Sequence, residues 1–157
     1  MEVELCGYNV LIDDEDFNKI NNHNWSIEKY ALKKGKHYFR YFDNTITNTI
    51  TLHRLVMGCV LYDKKEVDHI NGDTLDNRKQ NLRICTHTQN MQNQKKRINN
   101  RTGYKGVDYN KEHKKYCARI AINKRQIRLG YYNTAKEAYA AYCEASKKYH
   151  GEFGRTE

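Results

Sequence analysis

The stretch EVDHINGDTLDNRKQNLRICTHTQNMQN, residues 66–93, gathers a carboxylate, an imidazole and several carboxamides at short spacing. Asp68 and His69 are adjacent, so a hard oxygen donor stands beside a group that exchanges protons near neutral pH. Alone, such a pair is most often ordinary polar surface. An EF-hand reading of DHINGD fails, because the third loop position is Ile70 and the twelfth is Lys79 rather than Glu. His87 has no obvious counterpart among these groups and reads as a solvated or phosphate-facing side chain.

These groups need elements to hold them. EVDHI reads as a short strand ending at the pair, and Asn71-Gly72 is a turn signal that opens a loop to Asn81. Leu82–Cys85 reads as the return strand. Thr86-His87-Thr88-Gln89 has the form of a capping box, which puts Asn90 in the first turn of a following helix. The order is strand, loop, strand, helix, with connections short enough to bring His69 and Asn90 together. Upstream, residues 1–50 alternate loosely through YNVLI, DDEDF, KYAL and HYFRYF, read as short strands around a polar turn with Trp25 as a core anchor.

The stretch resembles the ββα-metal nuclease motif of the HNH family in its H-N-N variant, through D-H-I-N-G-D, N-L-R and Q-N. The resemblance implies a DNA endonuclease that hydrolyses phosphodiester bonds. In it Asp68 ligates the metal, His69 is the base that activates water, Asn81 braces the loop and Asn90 is the second ligand. Two hard donors that leave most positions to water and phosphate suit Mg²⁺ or Mn²⁺ rather than zinc. The ion would stabilise the phosphate and the leaving 3′ oxygen, leaving 5′-phosphate and 3′-hydroxyl ends. His53-Arg54 in LHRLVMG resembles the lead-in of such nucleases; Arg54 and Arg83 are candidate DNA contacts, with a structural ion pair the alternative for Arg54.

Residues 104–157 differ in kind. YKGVDYN, KYCARIAI and RQIRLGYY read as three strands, with Tyr116, Ala118, Ile120 and Ile122 on one face of the second and Ile127, Leu129 and Tyr131 on one face of the third. T-A-K-E is a capping box from Thr134 to Glu137, and Ala135, Ala138, Tyr142, Ala145 and Tyr149 form an apolar stripe that Gly151 closes. Y-x-G-V, A-x-I, L-G-Y-Y and E-A-Y-A-A-Y resemble the three-strand-plus-helix DNA-binding domain of plant ethylene-response factors of the APETALA type, also fused to phage homing endonucleases. The resemblance implies that Lys105, Arg119, Arg125 and Arg128 contact DNA. Asp108 stands where the plant pattern commonly has a base-reading Arg, and Tyr116 replaces its Trp, so the plant recognition code does not transfer.

Charge follows the same division. Residues 1–81 hold 11 Lys/Arg against 13 Asp/Glu, whereas residues 82–157 hold 17 against 6, and eight of the thirteen tyrosines lie between Tyr104 and Tyr149. A region this basic suits a polyanion. The five cysteines include no C-x-x-C pair, which argues against a disulfide framework and a thiolate zinc site. No apolar run approaches membrane-span length and MEVELCGYNV has no secretory features, so a cytoplasmic protein is expected (host cytoplasm if phage-encoded).

The expected architecture is α+β: a nuclease domain over 1–98 with a β-rich part over 1–50 and the ββα-metal motif at about 64–97, a linker at 99–103, and a three-stranded antiparallel sheet packed on one helix. The linker is either a flexible NNRTG or a helix continuing from QKKRI. The expected partner is double-stranded DNA and the expected state a monomer or weak dimer. The expected activity is that of a homing-type endonuclease; the rival is a sequence-specific DNA-binding regulator with a vestigial nuclease motif.

Overall fold

A computed structural model describes residues 1–59, 64–96 and 99–156. The end of the QKKRI stretch, Arg97 and Ile98, lies outside the described residues. The fold is mixed α and β, with several small sheets and five helices among the described residues, none long and apolar enough to cross a membrane. The chain divides into two compact units, Met1–Thr86 and His87–Glu157.

The first unit opens with β1 (Glu2–Leu5) and β2 (Tyr8–Leu11), an antiparallel hairpin. Its turn is Cys6-Gly7 with φ of 53° and 81°, the doubly positive geometry that matches strand twist. There follow α1 (Phe17–Asn21), β3 (Ser26–Ile27), α2 (Lys29–Leu32), β4 (Phe39–Asp43), β5 (Asn48–Thr51) and α3 (Leu52–Val56). β3, β4 and β5 form one antiparallel sheet, and β6 (Glu66–His69) pairs with β7 (Leu82–Cys85) in another. Val10, Ile12, Ile20, Phe39, Leu52, Val56, Val67 and Leu82 make the core.

Two expectations fail here. KYAL is the helical turn α2 rather than a strand: Lys, Ala and Leu are good helix formers, and a four-residue apolar-polar run does not discriminate between periods. With α1 it makes residues 1–50 less β-rich than the sequence reading has it. Trp25 sits at the core's rim, half-buried, where its indole N–H donates to the Ile20 carbonyl at 2.9 Å; a ring with a polar edge favours such a place.

The second unit contains α4 (His87–Asn93), then β8 (Val107–Asn110), β9 (Lys115–Ile122) and β10 (Arg125–Tyr132) in one antiparallel sheet with β9 central, and α5 (Ala135–Tyr149) packed on it. Asn123 and Lys124, with φ of 49° and 65°, turn β9 into β10. Asn100 Oδ1 accepts the N–H groups of Thr102 and Gly103, closing residues 99–103 into a hydrogen-bonded turn. Thr134 and Glu137 form the reciprocal capping box of α5. Val107, Ala118, Ile120, Ala138, Tyr142 and Ala145 are buried between sheet and helix. A Cβ on Gly106 (φ 73°) would lie 2.2 Å from the Tyr142 ring, so glycine is what allows this approach.

The face assignment of β10 is corrected by a bulge. Arg128 pairs with Arg119, but Gly130 pairs with Ala118, so Leu129 is an extra residue. Alternation slips by one beyond it. Tyr132, not Tyr131, packs in the core, and Tyr131 turns to the outer face with Arg119 and Arg128. The helix stripe also ends early: Tyr149 is 49% exposed and Ser146 is buried.

Candidate active site

Asp68 and His69 end β6. Strand alternation sends neighbours to opposite faces, so each acquires its own surroundings. Asp68 lies opposite Arg83 on β7, whose Nε and Nη2 both donate to Asp68 Oδ2, at 3.1 and 2.9 Å. Both side chains are nearly buried, which makes this pair far more consequential than a surface ion pair. Arg83 is thus placed on the carboxylate, and Arg54 is placed on the backbone, its Nη1 donating to the Lys65 carbonyl at 2.8 Å.

His69 lies on the face that continues from core residue Val67 and is 5% exposed. Its Nε2 is 3.2 Å from Asn77 Oδ1. The Asn77 amide has no freedom to flip, because its Nδ2 donates to the Thr74 carbonyl at 3.1 Å. Oδ1 therefore faces the ring, Nε2 carries the proton, and the lone pair is on Nδ1. Burial lowers the pKa of His69 from its ordinary value; Asn77 and then Asp68 oppose this, and the charge of Lys36 adds to it. The ring is neutral at neutral pH, which a proton acceptor requires. Tyr38 and His53 enclose it, with His53 5.3 Å and Tyr38 6.3 Å away between ring centroids. Burial, then the neighbouring His69, pushes the His53 imidazole down to about 3.

The loop from Ile70 to Asn81 is braced from inside and out. Asn81 Oδ1 accepts the Asn71 N–H at 3.0 Å and its Nδ2 donates to the Asp76 carbonyl at 2.8 Å. Arg78 grips Asp76 with two bonds of 2.8 Å, and that hydrogen-bonded guanidinium holds the carboxyl below its usual range. From outside, β2 clasps the loop: Leu11 N–H donates to Leu75 O and Asn77 N–H to Leu11 O. The Lys79 N–H donates to Asp13 Oδ2 at 2.7 Å. Asp68, His69 and Asn81 are brought together in this unit, while Asn90 stands in the first turns of α4, in the second unit.

Sequence reasoning passed over Asn77, Tyr38 and Lys36. The signal for Asn77 was its place in a loop otherwise rich in self-capping Asn and Asp, where one more carboxamide did not stand out. A hard divalent cation fits the donor chemistry of a carboxylate such as Asp68. Among the described residues no cluster of three or more His, Cys, Asp or Glu side chains could hold a metal, so such an ion would complete its shell from water and phosphate.

In the second unit Arg119, Arg128 and Tyr131 share the outer sheet face, where Arg128 Nη1 donates to Tyr131 Oη at 2.9 Å. Arg125 is exposed at the start of β10. Lys105 is turned inward instead: its ammonium donates to the Gln92 carbonyl at 2.6 Å and the Arg155 carbonyl at 3.3 Å, and burial lowers its pKa to about 8. An open cleft of about 840 Å³ is lined by Lys95, Lys96, Arg101, Lys111, Arg119 and Lys124, with Asp108 the one acidic residue among its lining residues.

Residues 52–92 match the family model described as HNH endonuclease. The match runs from α3 into α4 and contains Asp68, His69, Asn77, Asn81 and Asn90. It supports a nuclease function with DNA as substrate. No curated protein and no solved structure matches the chain.

Proposed function

Taking the HNH match over residues 52–92 as its premise, we propose that this chain is a divalent-metal-dependent DNA endonuclease of homing type, anchored on duplex DNA by its basic C-terminal unit. The observation that carries the reading is the His69–Asn77–Thr74 relay. It holds a neutral imidazole on Nε2–H and leaves Nδ1 as the basic nitrogen, on the hairpin where the family match falls.

His69 takes the proton of a water attacking phosphorus in line with the 3′ oxygen. Asp68 and Asn90 would hold the ion, and Arg83 orients the Asp68 carboxylate by claiming Oδ2. A bound Mg²⁺ or Mn²⁺ would supply Lewis-acid stabilisation of the charge that develops on the phosphate and leaving oxygen. Asn81 keeps the loop that carries Asn77 at fixed length and shape. The outer sheet face, with Arg119 and Arg128, and the exposed Arg125 at the start of β10 supply the phosphate and groove contacts that retain the substrate. The resemblance of this unit to domains fused to phage homing enzymes supports the homing reading.

Digestion of supercoiled plasmid by the purified protein tests the proposal. Conversion to nicked or linear forms is expected with Mg²⁺ or Mn²⁺ and none with EDTA. Tight duplex binding with no cutting under any of these ions would overturn the nuclease reading in favour of a DNA-binding regulator.

A further inference from the structure

The unit that carries His69 is otherwise a poor host for a polyanion. Of the residues up to Asn81, those outside 29–40 hold six Lys/Arg against thirteen Asp/Glu. Several of those cations are turned onto protein acceptors: Lys19 and Lys79 onto Asp16, Arg78 onto Asp76, Arg54 onto a carbonyl. Residues 29–40, KYALKKGKHYFR, are the exception, with five Lys/Arg and no acid. They lie outside the segment that matches the family.

This run is fastened to the active site. After α2 the chain reverses at Gly35 (φ 68°), and Lys36 N–H donates back to the Ala31 carbonyl at 3.0 Å. The next residue, His37, donates its N–H to Thr74 Oγ1 at 2.8 Å. Thr74 is the residue whose carbonyl locks Asn77 and, through it, His69. Tyr38 follows, its ring 6.3 Å from that of His69, and the Lys36 ammonium stands 5.9 Å from the Tyr38 ring centroid. Lys36 is exposed and makes no ion pair among the described residues. An unpaired ammonium at this place is available to an anion.

We infer that Lys36 is a substrate-binding residue of the nuclease site, whose ammonium receives the scissile phosphate beside His69. The inference rests on the proposed nuclease reading and adds a contact from outside the matched motif. A lysine suits the task as a compact point charge with three donors that tolerates any phosphate orientation. Tyr38, packed against His53, limits where the lysine stem can lie. The fastening at Thr74 keeps phosphate holder and base on one frame.

The test compares wild type, Lys36→Met and Lys36→Arg with saturating Mn²⁺ on two substrates, supercoiled plasmid and bis(p-nitrophenyl) phosphate, the latter a bare phosphodiester. Lys36→Met is expected to lower kcat/KM on both by roughly 100- to 1,000-fold, the range for losing one donor to a developing oxyanion. Lys36→Arg should recover most of it, and the melting temperature should stay at the wild-type value because the side chain is exposed. Loss on plasmid alone would place Lys36 on a flanking phosphate and overturn the assignment, as would Lys36→Met cutting within twofold of wild type on both. A wild type inactive on both substrates fails in a different arm, and takes the nuclease reading and this inference down together.

Discussion

At the scale of single residues, His69 and His53 are two imidazoles in ring contact with opposite duties. His69→Ala should abolish cleavage and leave duplex affinity within about threefold, because a general base acts in the transition state and contributes 10²–10⁴-fold there. Near-normal plasmid cutting by that variant would remove His69 from the mechanism. His53 is instead a matter of stability. Its imidazole is held near 3 in the fold, against about 6.5 in an unfolded chain. Above pH 6.5 both states are neutral and the residue contributes nothing to pH dependence. As pH falls from 6.5 toward 3 the unfolded chain binds a proton that the fold refuses, so stability declines. The melting temperature of wild type should therefore drop more between pH 7 and pH 5 than that of His53→Gln, a neutral amide of similar reach. Equal drops would show that His53 titrates freely. The Asp-His pair stands out by its adjacency, and the resemblance to the nuclease motif points to Asn81. Neither singles out Asn77, because its importance lies in an amide clamped between Thr74 and His69, a relation that no local pattern encodes.

Elements were legible where a strong local rule applied and opaque where tertiary context decided. The Thr134–Glu137 box, the Asn71-Gly72 turn and the β6–β7 return pair all obey short-range chemistry, and the sequence displays it. KYAL is too short to declare a period, and its helical turn depends on Gly35 and on burial of Ala31. The bulge at Leu129 left no mark in composition, since strand register is set by partners as much as by the strand itself. Packing of α5 on the sheet offers a sharp check. Gly106→Ala forces a methyl toward the Tyr142 ring and the Arg119 carbonyl at a positive φ. Substitution there should cost on the order of 1–3 kcal/mol, read as a lower denaturation midpoint. Gly103→Ala shares the positive φ (78°) but meets nothing within 4 Å, and should cost less. Equal costs would mean that backbone strain alone, and not the helix approach, requires glycine at 106.

For the whole molecule the division of charge is the leading fact. Residues 1–81 carry a net charge of −2 (11 Lys/Arg, 13 Asp/Glu) and residues 82–157 a net +11 (17 against 6), with the proposed base His69 in the first stretch. If the outer sheet face is the anchor, Arg119→Gln with Arg128→Gln should weaken duplex binding and flatten its salt dependence by about 0.9 in log–log slope per lost phosphate contact. Isotherms at several salt concentrations, taken with EDTA to prevent cutting, measure this directly. An unchanged slope would move the anchor elsewhere, the cationic cleft lined by Lys95, Lys96 and Arg101 being the next surface to mutate.

The extra residue in β10 also bears on how such a surface changes over generations. A residue gained or lost within a regular strand ordinarily turns every side chain beyond it to the other face. Here deletion of Leu129 would leave Gly130, Tyr131 and Tyr132 opposite Ala118, Cys117 and Tyr116, so Tyr131 would stay on the outer face and Tyr132 in the core. Strand length at this point is therefore free to change by one residue without altering what the outer face presents.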